Sequence, residues 1–187
     1  MRFVLTLLNQ IDGMMTMKIF LTGRSGSGKS TVLMKIIGRL EAKGLKIGGI
    51  ITPEVRVKGR RVAFRVVDLS SCKEGVLASI DQTAGPKVGK YRVNVLDFER
   101  VALPALSFAL KECDLTCVDE LGKMEFLSNR FKQKVGELLR SERPLIAVVH
   151  CNYAKLYEKT WTLFQVTAEN REEIVNTVVS KFMNDRP

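Results

Sequence analysis

The sequence predicts an α/β fold in three layers: a mostly parallel sheet covered on both faces by helices, with a β-hairpin insertion. Short apolar runs alternate with amphipathic helical patterns along almost the whole chain. Such alternation favours parallel strands joined by crossover helices. The chain has 187 residues, 45% of them apolar and 27% charged, which is enough for one domain with a buried core. We expect a single domain over residues 17–187 and an N-terminal extension over residues 1–16.

The first predicted elements flank a glycine-rich turn. Lys18–Thr22 is a short apolar run, and a helical stripe follows over residues 29–43, closed by Gly44. Residues 45–52 form the next predicted strand, which ends at Pro53.

The middle of the chain contains the predicted hairpin insertion. Over residues 54–69, alternating β-branched and basic residues surround Lys58 and Gly59, which favours a β-hairpin with one basic face. Residues 70–95 have no clear pattern. A helix is predicted over residues 97–111, kinked or split by a proline.

The remaining elements repeat the strand–helix alternation. Strands are predicted over residues 115–118, Leu145–Val149 and 163–166. Helices are predicted after Ser128, which is a typical N-cap residue, and from about Asn170 to the end.

Composition limits the function classes. Thirty Lys and Arg residues against twenty Asp and Glu residues give a net charge of +10, which suggests an anionic partner. No run of 18 apolar residues occurs, so a membrane span is not expected. The four cysteines lack CxxC spacing and there is one histidine, which argues against a zinc site. The start of the chain resembles a signal peptide, but its apolar run is too short. We therefore expect a cytoplasmic protein whose functional start is Met17.

The turn after the first strand matches the phosphate-binding pattern G-x-x-x-x-G-K-[ST]. Its residues are Gly23, Arg24, Ser25, Gly26, Ser27, Gly28, Lys29 and Ser30. The glycines let backbone N–H groups approach phosphate oxygens, and the helix that follows offers its positive end to the anion. Lys29 is predicted to reach the β- and γ-phosphates, and Ser30 to be a Mg²⁺ ligand. Arg24 either contacts phosphate or is solvated.

A second cluster follows the strand at residue 115. Asp119 and Glu120 end an apolar run, at the strand edge where ligands bind in parallel sheets. We expect this strand to lie beside the first one. Asp119 would then hold the magnesium ion, and Glu120 would orient or deprotonate an attacking water.

Residues 119–125 read DELGKME, which resembles the DE-[IL]-G-x-M-E signature of the thermophile-type nucleoside-triphosphatase family. The other segments that resemble this family are, in chain order, residues 23–31, 49–56, 59–64, 88–91 and 166–171. The resemblance covers the chain from about residue 17 to residue 174. It implies a P-loop NTPase that hydrolyses ATP, GTP and other triphosphates to diphosphate and phosphate with Mg²⁺.

The resemblance also assigns residues beyond the two motifs. It adds Thr31 to the nucleotide-binding loop and singles out Arg56 of the hairpin as a residue that stabilises the transferring phosphoryl group. Asn170 and Arg171 have two interpretations. Asn170 is either the N-cap of the last helix, with Glu173 three residues later, or it lies with Arg171 near the nucleobase.

Further polar residues near the two motifs have open roles. Glu125 either supports the water or metal shell or pairs with Lys123 or an arginine. His150 is expected to be structural.

Three functions are compatible with these motifs. The first is a nucleoside-triphosphate hydrolase, which the adjacent acids favour. A small-molecule or nucleotide kinase would have the same loop and size. A nucleotide-dependent adaptor for nucleic acid or cofactor assembly would fit the basic charge, but the sequence shows no recognition helix or aromatic basic platform, so nucleic acid is not favoured. The expected partners are nucleoside triphosphates, the expected cofactor is Mg²⁺, and a monomer is the expected state.

Overall fold

The computed structural model describes residues 17–158 and 160–184. The predicted N-terminal extension, residues 1–16, lies outside the described residues. The described residues form ten strands and five α-helices, which alternate as predicted except between β2 and β7, where six strands follow one another.

The strands are β1 (Lys18–Thr22), β2 (Ile47–Ile51), β3 (Glu54–Val57), β4 (Arg60–Asp68), β5 (Glu74–Ser79), β6 (Lys87–Val88), β7 (Tyr91–Val93), β8 (Leu115–Leu121), β9 (Leu145–Val149) and β10 (Thr162–Gln165). The α-helices are α1 (Lys29–Glu41), α2 (Val95–Glu112), α3 (Asn129–Arg140), α4 (Cys151–Glu158) and α5 (Arg171–Asn184). A short 3₁₀ helix covers Glu125–Leu127.

The strands form one sheet in the order β10-β1-β9-β8-β2-β4-β5-β7-β6, with β3 paired to β4. The five strands from β10 to β2 are parallel. The strands from β4 onward pair in antiparallel fashion. The predicted α/β class is therefore confirmed. The prediction that β8 lies beside β1 is wrong, because β9 lies between them.

Two apolar clusters cover the two faces of the sheet. One contains residues of α2, α3 and α4, and the other contains residues of α1 and α5. Strand β1 shows how one strand serves both: Phe20 belongs to the first cluster, whereas Ile19 and Leu21 belong to the second. Because successive side chains of a strand point to opposite faces, a fully apolar strand is buried on both sides. The result is a three-layer arrangement.

The predicted hairpin is present, and it continues the main sheet. Lys58 and Gly59 have φ angles of 47° and 76°, as a two-residue type I′ turn requires. Strand β4 also pairs with β2 and β5. The unassigned residues 70–95 supply β5, β6 and β7.

Two helices differ from the sequence expectation. Helix α2 contains Pro104 without being split into two. Asn94 caps it by accepting a hydrogen bond from the Asp97 N–H at 3.1 Å. Helix α4 was not predicted at all, because its short segment has no clear apolar stripe. No helix in the described ranges has both the length and the apolar character needed to span a membrane.

A buried lysine fastens the amino-terminal edge of the sheet. The Lys18 ammonium donates hydrogen bonds to the carbonyl oxygens of Leu138 and Ser141, both at 2.9 Å, and to that of Arg143. Burial lowers the pKa of Lys18 to about 8. The contact joins β1 to the C-terminal end of α3, where the orphan carbonyls of a helix favour a cation.

Candidate active site

The glycine-rich turn connects β1 to α1 at the carboxyl edge of the parallel strands, as predicted. Two positions in it tolerate only glycine. A Cβ atom on Gly23 would lie 2.6 Å from the carbonyl oxygen of Val166, and Gly28 has a φ of 94°. At the first position another residue would clash with the Val166 carbonyl, and at the second its backbone would be strained. The backbone of this loop is therefore free to approach a ligand.

Lys29 folds back over the loop it follows. Its amine donates hydrogen bonds to the carbonyl oxygens of Gly23 and Arg24, both at 3.1 Å. No acidic residue stands in the first turn of α1, so the positive end of the helix is not neutralised. Arg24 is exposed, which is compatible both with a contact to phosphate and with a solvated side chain.

Asp119 and Glu120 face the loop from β8. Asp119 is 5% exposed, and burial raises the pKa of its carboxyl to about 6, against the opposing effects of the Ser30 hydroxyl and Lys29. Burial also raises the pKa of Glu120, which Lys29 counteracts. Because the Ser30 hydroxyl lowers the pKa of the Asp119 carboxyl, the two side chains lie close to each other. The two sequence motifs thus meet at one point, although β9 separates their strands.

A third acid, Glu125, lies behind this pair. It is 4% exposed, and burial with the neighbouring Glu120 raises the pKa of its carboxyl to about 8. A Cβ atom on Gly122 would lie 2.7 Å from an Oε of Glu125 and 2.8 Å from an Oε of Glu120. Among the described residues no Lys or Arg forms an ion pair with Glu125. The suggested pairing with Lys123 is therefore wrong, and Glu125 faces the acids.

This burial predicts a pH-dependent stability. A carboxyl whose pKa is raised on folding stabilises the native state while protonated, and that contribution is lost as pH rises from the unfolded value of 4.5 through about 8. Glu125→Gln mimics the protonated acid. We expect the free energy of unfolding of this variant, relative to wild type, to increase between pH 5 and pH 8 by at least about 1.4 kcal/mol. Urea unfolding at both pH values measures it, with Glu112→Gln as the exposed control. A difference that does not change with pH would contradict the expectation.

Arg171 lies at the phosphate loop. Its Nε donates a hydrogen bond to the carbonyl oxygen of Ser27 at 2.8 Å, and it stands 2.6 Å from where a Cβ on Gly28 would be. Two ion pairs hold α5 in place, since Glu172 accepts hydrogen bonds from Lys35 and Arg39 of α1. The guanidinium therefore supports the loop from the side of α5.

The side chain of Asn170 does not cap α5 with Glu173, as the sequence suggested. It accepts a hydrogen bond from the Thr167 N–H at 2.8 Å and donates one to the Gln165 carbonyl at 2.9 Å. The backbone carbonyl of Asn170 still accepts the first helical bond, from Ile174, at 3.0 Å. Asn170 thus shapes the loop between β10 and α5.

Arg56 is held within the hairpin. It donates hydrogen bonds to Glu54, at 2.8 and 3.0 Å, and to the Gly59 carbonyl at 3.0 Å. None of these bonds reaches the phosphate loop or the acids of β8. The resemblance that singled out Arg56 is therefore not supported by its contacts in this structure.

The hydroxyl groups of Thr22 and Ser27, beside the loop, are buried and have no hydrogen-bond partner among the described residues. Ser27 belongs to the loop that the sequence predicted to bind phosphate. Sequence reasoning missed Thr22, for which the position at the end of β1 was the available signal. His150 makes a local structural contact, because its Nδ1 accepts a hydrogen bond from the Asn152 N–H at 3.3 Å at the start of α4.

Comparison with known proteins gives consistent matches. A sequence model of the family described as NTPase matches residues 18–179. "Nucleoside-triphosphatase THEP1" of Methanocaldococcus jannaschii is 38% identical over 89% of this chain and 98% of that protein. The protein of the same name from Methanothermobacter thermautotrophicus is 43% identical over 87% of this chain and 94% of its own length.

Two solved structures have the same fold. The crystal structure of THEP1 from Aquifex aeolicus superposes with a TM-score of 0.79 at 31% identity, over 91% of this chain and all of that one. The solution structure of a human cancer-related nucleoside triphosphatase gives a TM-score of 0.75 at 30% identity, over 92% of this chain and all of that one.

Proposed function

The chain belongs to the NTPase family, and we propose that it hydrolyses nucleoside triphosphates, ATP and GTP among them, to the diphosphate and phosphate with Mg²⁺. The observation that carries the proposal is the meeting of Lys29, Ser30, Asp119 and Glu120 at one edge of the sheet. A cation, a hydroxyl and two acids at a phosphate loop are the groups that phosphoryl transfer to water needs.

The loop binds the triphosphate. Its backbone N–H groups and the start of α1 surround the β-phosphate, and Thr31 extends this surface by one residue. Lys29 exchanges its bonds to the Gly23 and Arg24 carbonyls for bonds to the β- and γ-phosphate oxygens, where its charge offsets theirs. The hydroxyl of Ser27, which has no hydrogen-bond partner among residues 17–158 and 160–184, is available to the same anion.

The residues present fit Mg²⁺. Ser30 and Asp119 offer a hydroxyl and a carboxylate oxygen, which are hard donors of the kind this cation prefers. Within the described residues no three His, Cys, Asp or Glu side chains form a metal-binding group, as expected for an ion that takes few protein ligands and several waters. Ser30 and Asp119 would hold the ion, which would supply positive charge to offset the charge of the phosphate groups.

Glu120 acts as general base. It accepts a proton from water as the water oxygen bonds to the γ-phosphorus. The bond from that phosphorus to the bridging oxygen then breaks, and the diphosphate leaves with the electron pair. Burial raises the pKa of Glu120, which makes its carboxylate a stronger base at neutral pH. We keep Arg56 as a candidate for charge stabilisation, which requires the hairpin to release it from Glu54.

Arg171 and Asn170 complete the nucleotide site. We propose that Arg171 supports the loop through Ser27 and presents its guanidinium plane to the nucleobase.

Arg171→Ala is expected to raise KM by about tenfold, because one charge-assisted hydrogen bond is lost. The effect on kcat is expected to be smaller. Arg171→Lys keeps the charge and is expected to recover only part of the affinity. Steady-state phosphate release at varied ATP measures both. Equal KM values for the two variants would contradict a role of the planar guanidinium.

The test of the function is phosphate release from a panel of triphosphates, with and without Mg²⁺, together with product analysis. Equal amounts of diphosphate and phosphate without an added acceptor are expected. Turnover that rises strongly with one added metabolite, with the γ-phosphate transferred to it, would identify a kinase instead.

A further inference from the structure

The antiparallel half of the sheet is strongly basic. We define the basic extension as residues 54–93, which contain β3 to β7. It holds nine basic and four acidic residues, half of the net charge of +10 in a fifth of the chain. The basic residues are Arg56, Lys58, Arg60, Arg61, Arg65, Lys73, Lys87, Lys90 and Arg92.

The β3–β4 hairpin projects beyond the carboxyl edge of the sheet. The last residues of β4 pair with β2, where Ile51 faces Val67. The first residues of β4 pair with β3, where Val57 faces Arg60. Strands β2 and β3 are both antiparallel to β4, so β3 continues in the direction of β2. At about 3.4 Å per residue, the hairpin extends roughly 20 Å past Ile51.

One face of the extension lies outside both apolar clusters of the described residues, and we call it the open face. Val66 of β4 lies in the cluster beneath α2, so the neighbouring Arg65 points to the opposite face. That face is on the α1 side of the sheet, and the cluster formed by α1 and α5 contains no residue of β3 to β7. The phosphate loop also leads into α1. The open face therefore lies on the same side of the sheet as the triphosphate site.

The cations at the tip have no acidic partner. Glu54 pairs with Arg56 and Arg61, and Glu74 pairs with Arg65. No ion pair involves Lys58 or Arg60 within the described ranges, and both are exposed. Unpaired exposed cations repel one another unless an anion lies between them.

We propose that the basic extension binds the phosphate backbone of a nucleic acid, through Lys58 and Arg60 at its tip. A strand of nucleic acid carries one charge per about 3.4 Å in the duplex, so the hairpin spans about six phosphates. Protein interfaces are anchored mostly by buried aromatic and arginine side chains seated in pockets, and a helix that lies on a membrane presents an apolar face to it. The hairpin tip exposes one large apolar side chain, Val57, so phosphate charge is the partner chemistry that fits best.

The experiment measures binding of a fluorescein-labelled single-stranded RNA of about 20 nucleotides by polarisation, at about 50 and about 200 mM salt and without any triphosphate. Wild type is expected to bind and to weaken steeply with salt. Lys58→Glu/Arg60→Glu is expected to bind at least about tenfold more weakly, with a salt slope smaller by about 1.4, the value for two lost contacts. A single-stranded DNA and a duplex of the same length extend the comparison between nucleic acids.

The matched control is Lys43→Glu/Arg140→Glu, which makes the same charge change at exposed residues of the opposite edge. It is expected to bind within about twofold of wild type, and both double variants are expected to hydrolyse triphosphate at the wild-type rate. Lys58→Arg/Arg60→Lys, which keeps the charges, is expected to bind like wild type.

Three results would overturn the proposal: no binding by wild type at low salt, equal weakening by the control pair, or displacement of the RNA by anionic lipid vesicles or polyglutamate at equal charge. None of these depends on hydrolysis, so a failure of the proposed enzymatic function would be seen separately.

Discussion

Replacing Glu120 by Gln is expected to lower kcat for phosphate release by about 10²–10⁴-fold, the usual contribution of a general base. The amide has the same shape but cannot accept the proton of the attacking water. Binding should persist, because the loop and the Ser30–Asp119 pair are unchanged. Phosphate release with Mg-ATP measures kcat, and titration of a fluorescent triphosphate analogue in Mg²⁺ measures affinity.

The matched control is Glu112→Gln, the same chemical change at the exposed end of α2. It should leave both quantities at their wild-type values. A Glu120→Gln variant with wild-type kcat would refute the role as base. One that loses nucleotide affinity instead would assign Glu120 to ground-state binding.

Glu120 and the loop residues lie about 90 positions apart in the sequence but at one site in the structure. This contrast shows which parts of the site can be predicted from sequence. The phosphate loop is a local motif in which a strand, glycines and a helix follow one another, so its structure can be predicted from eight adjacent residues. Asp119 and Glu120 were found in the same way, from an apolar strand that ends in acids. Their convergence followed from a general property of parallel sheets, whose carboxyl ends share one edge.

Strand order is a different kind of information. No local pattern shows that β9 lies between β1 and β8, because the three strands are similar apolar runs. The prediction that Asp119 and Glu120 lie near the loop is nevertheless correct, because the carboxyl ends of parallel strands share one edge whatever the order of the strands. The hydrogen bond between Arg171 and Ser27 joins residues 144 positions apart. It could not be predicted, because no local pattern shows which distant segments are neighbours in the fold. A position of Arg171 near the nucleobase was one of two interpretations of the sequence, and neither indicated that Arg171 supports the loop.

Burial was the other property that the sequence left undetermined. Glu125 follows a Gly-Lys-Met turn and has the composition of a solvent-exposed loop. The structure buries it because the 3₁₀ helix Glu125–Leu127 turns it inward against Glu120. Burying a carboxyl group is costly, and burial raises the pKa of Glu125 to about 8. Its position beside Glu120 fits a supporting role in the proposed active site.

Lys29→Ala is expected to have the second largest effect, weakening triphosphate binding and lowering kcat by about 10²–10³-fold, as for the loss of one preorganised cationic donor. The amine lies beside Gly23 and Arg24 within the loop, so it is positioned before a ligand arrives. Its removal takes away the ammonium group that we assign to the β- and γ-phosphates, and only the backbone dipoles of the loop and the bound Mg²⁺ then oppose their charge. Isothermal titration with a non-hydrolysable triphosphate and single-turnover phosphate release measure the two effects.

Lys43→Ala supplies the control, because it removes the same charge from the exposed end of α1. The thermal unfolding midpoint of Lys29→Ala should stay close to that of wild type, since the Lys29 side chain is only half-buried and one of its two hydrogen bonds is exposed to solvent. Lys29→Arg keeps the charge but not the reach of a single ammonium, and its kcat should stay low. Wild-type affinity in Lys29→Ala would mean that the triphosphate does not bind in this loop. That result would remove the basis for assigning Ser30 and Asp119 to the magnesium ion.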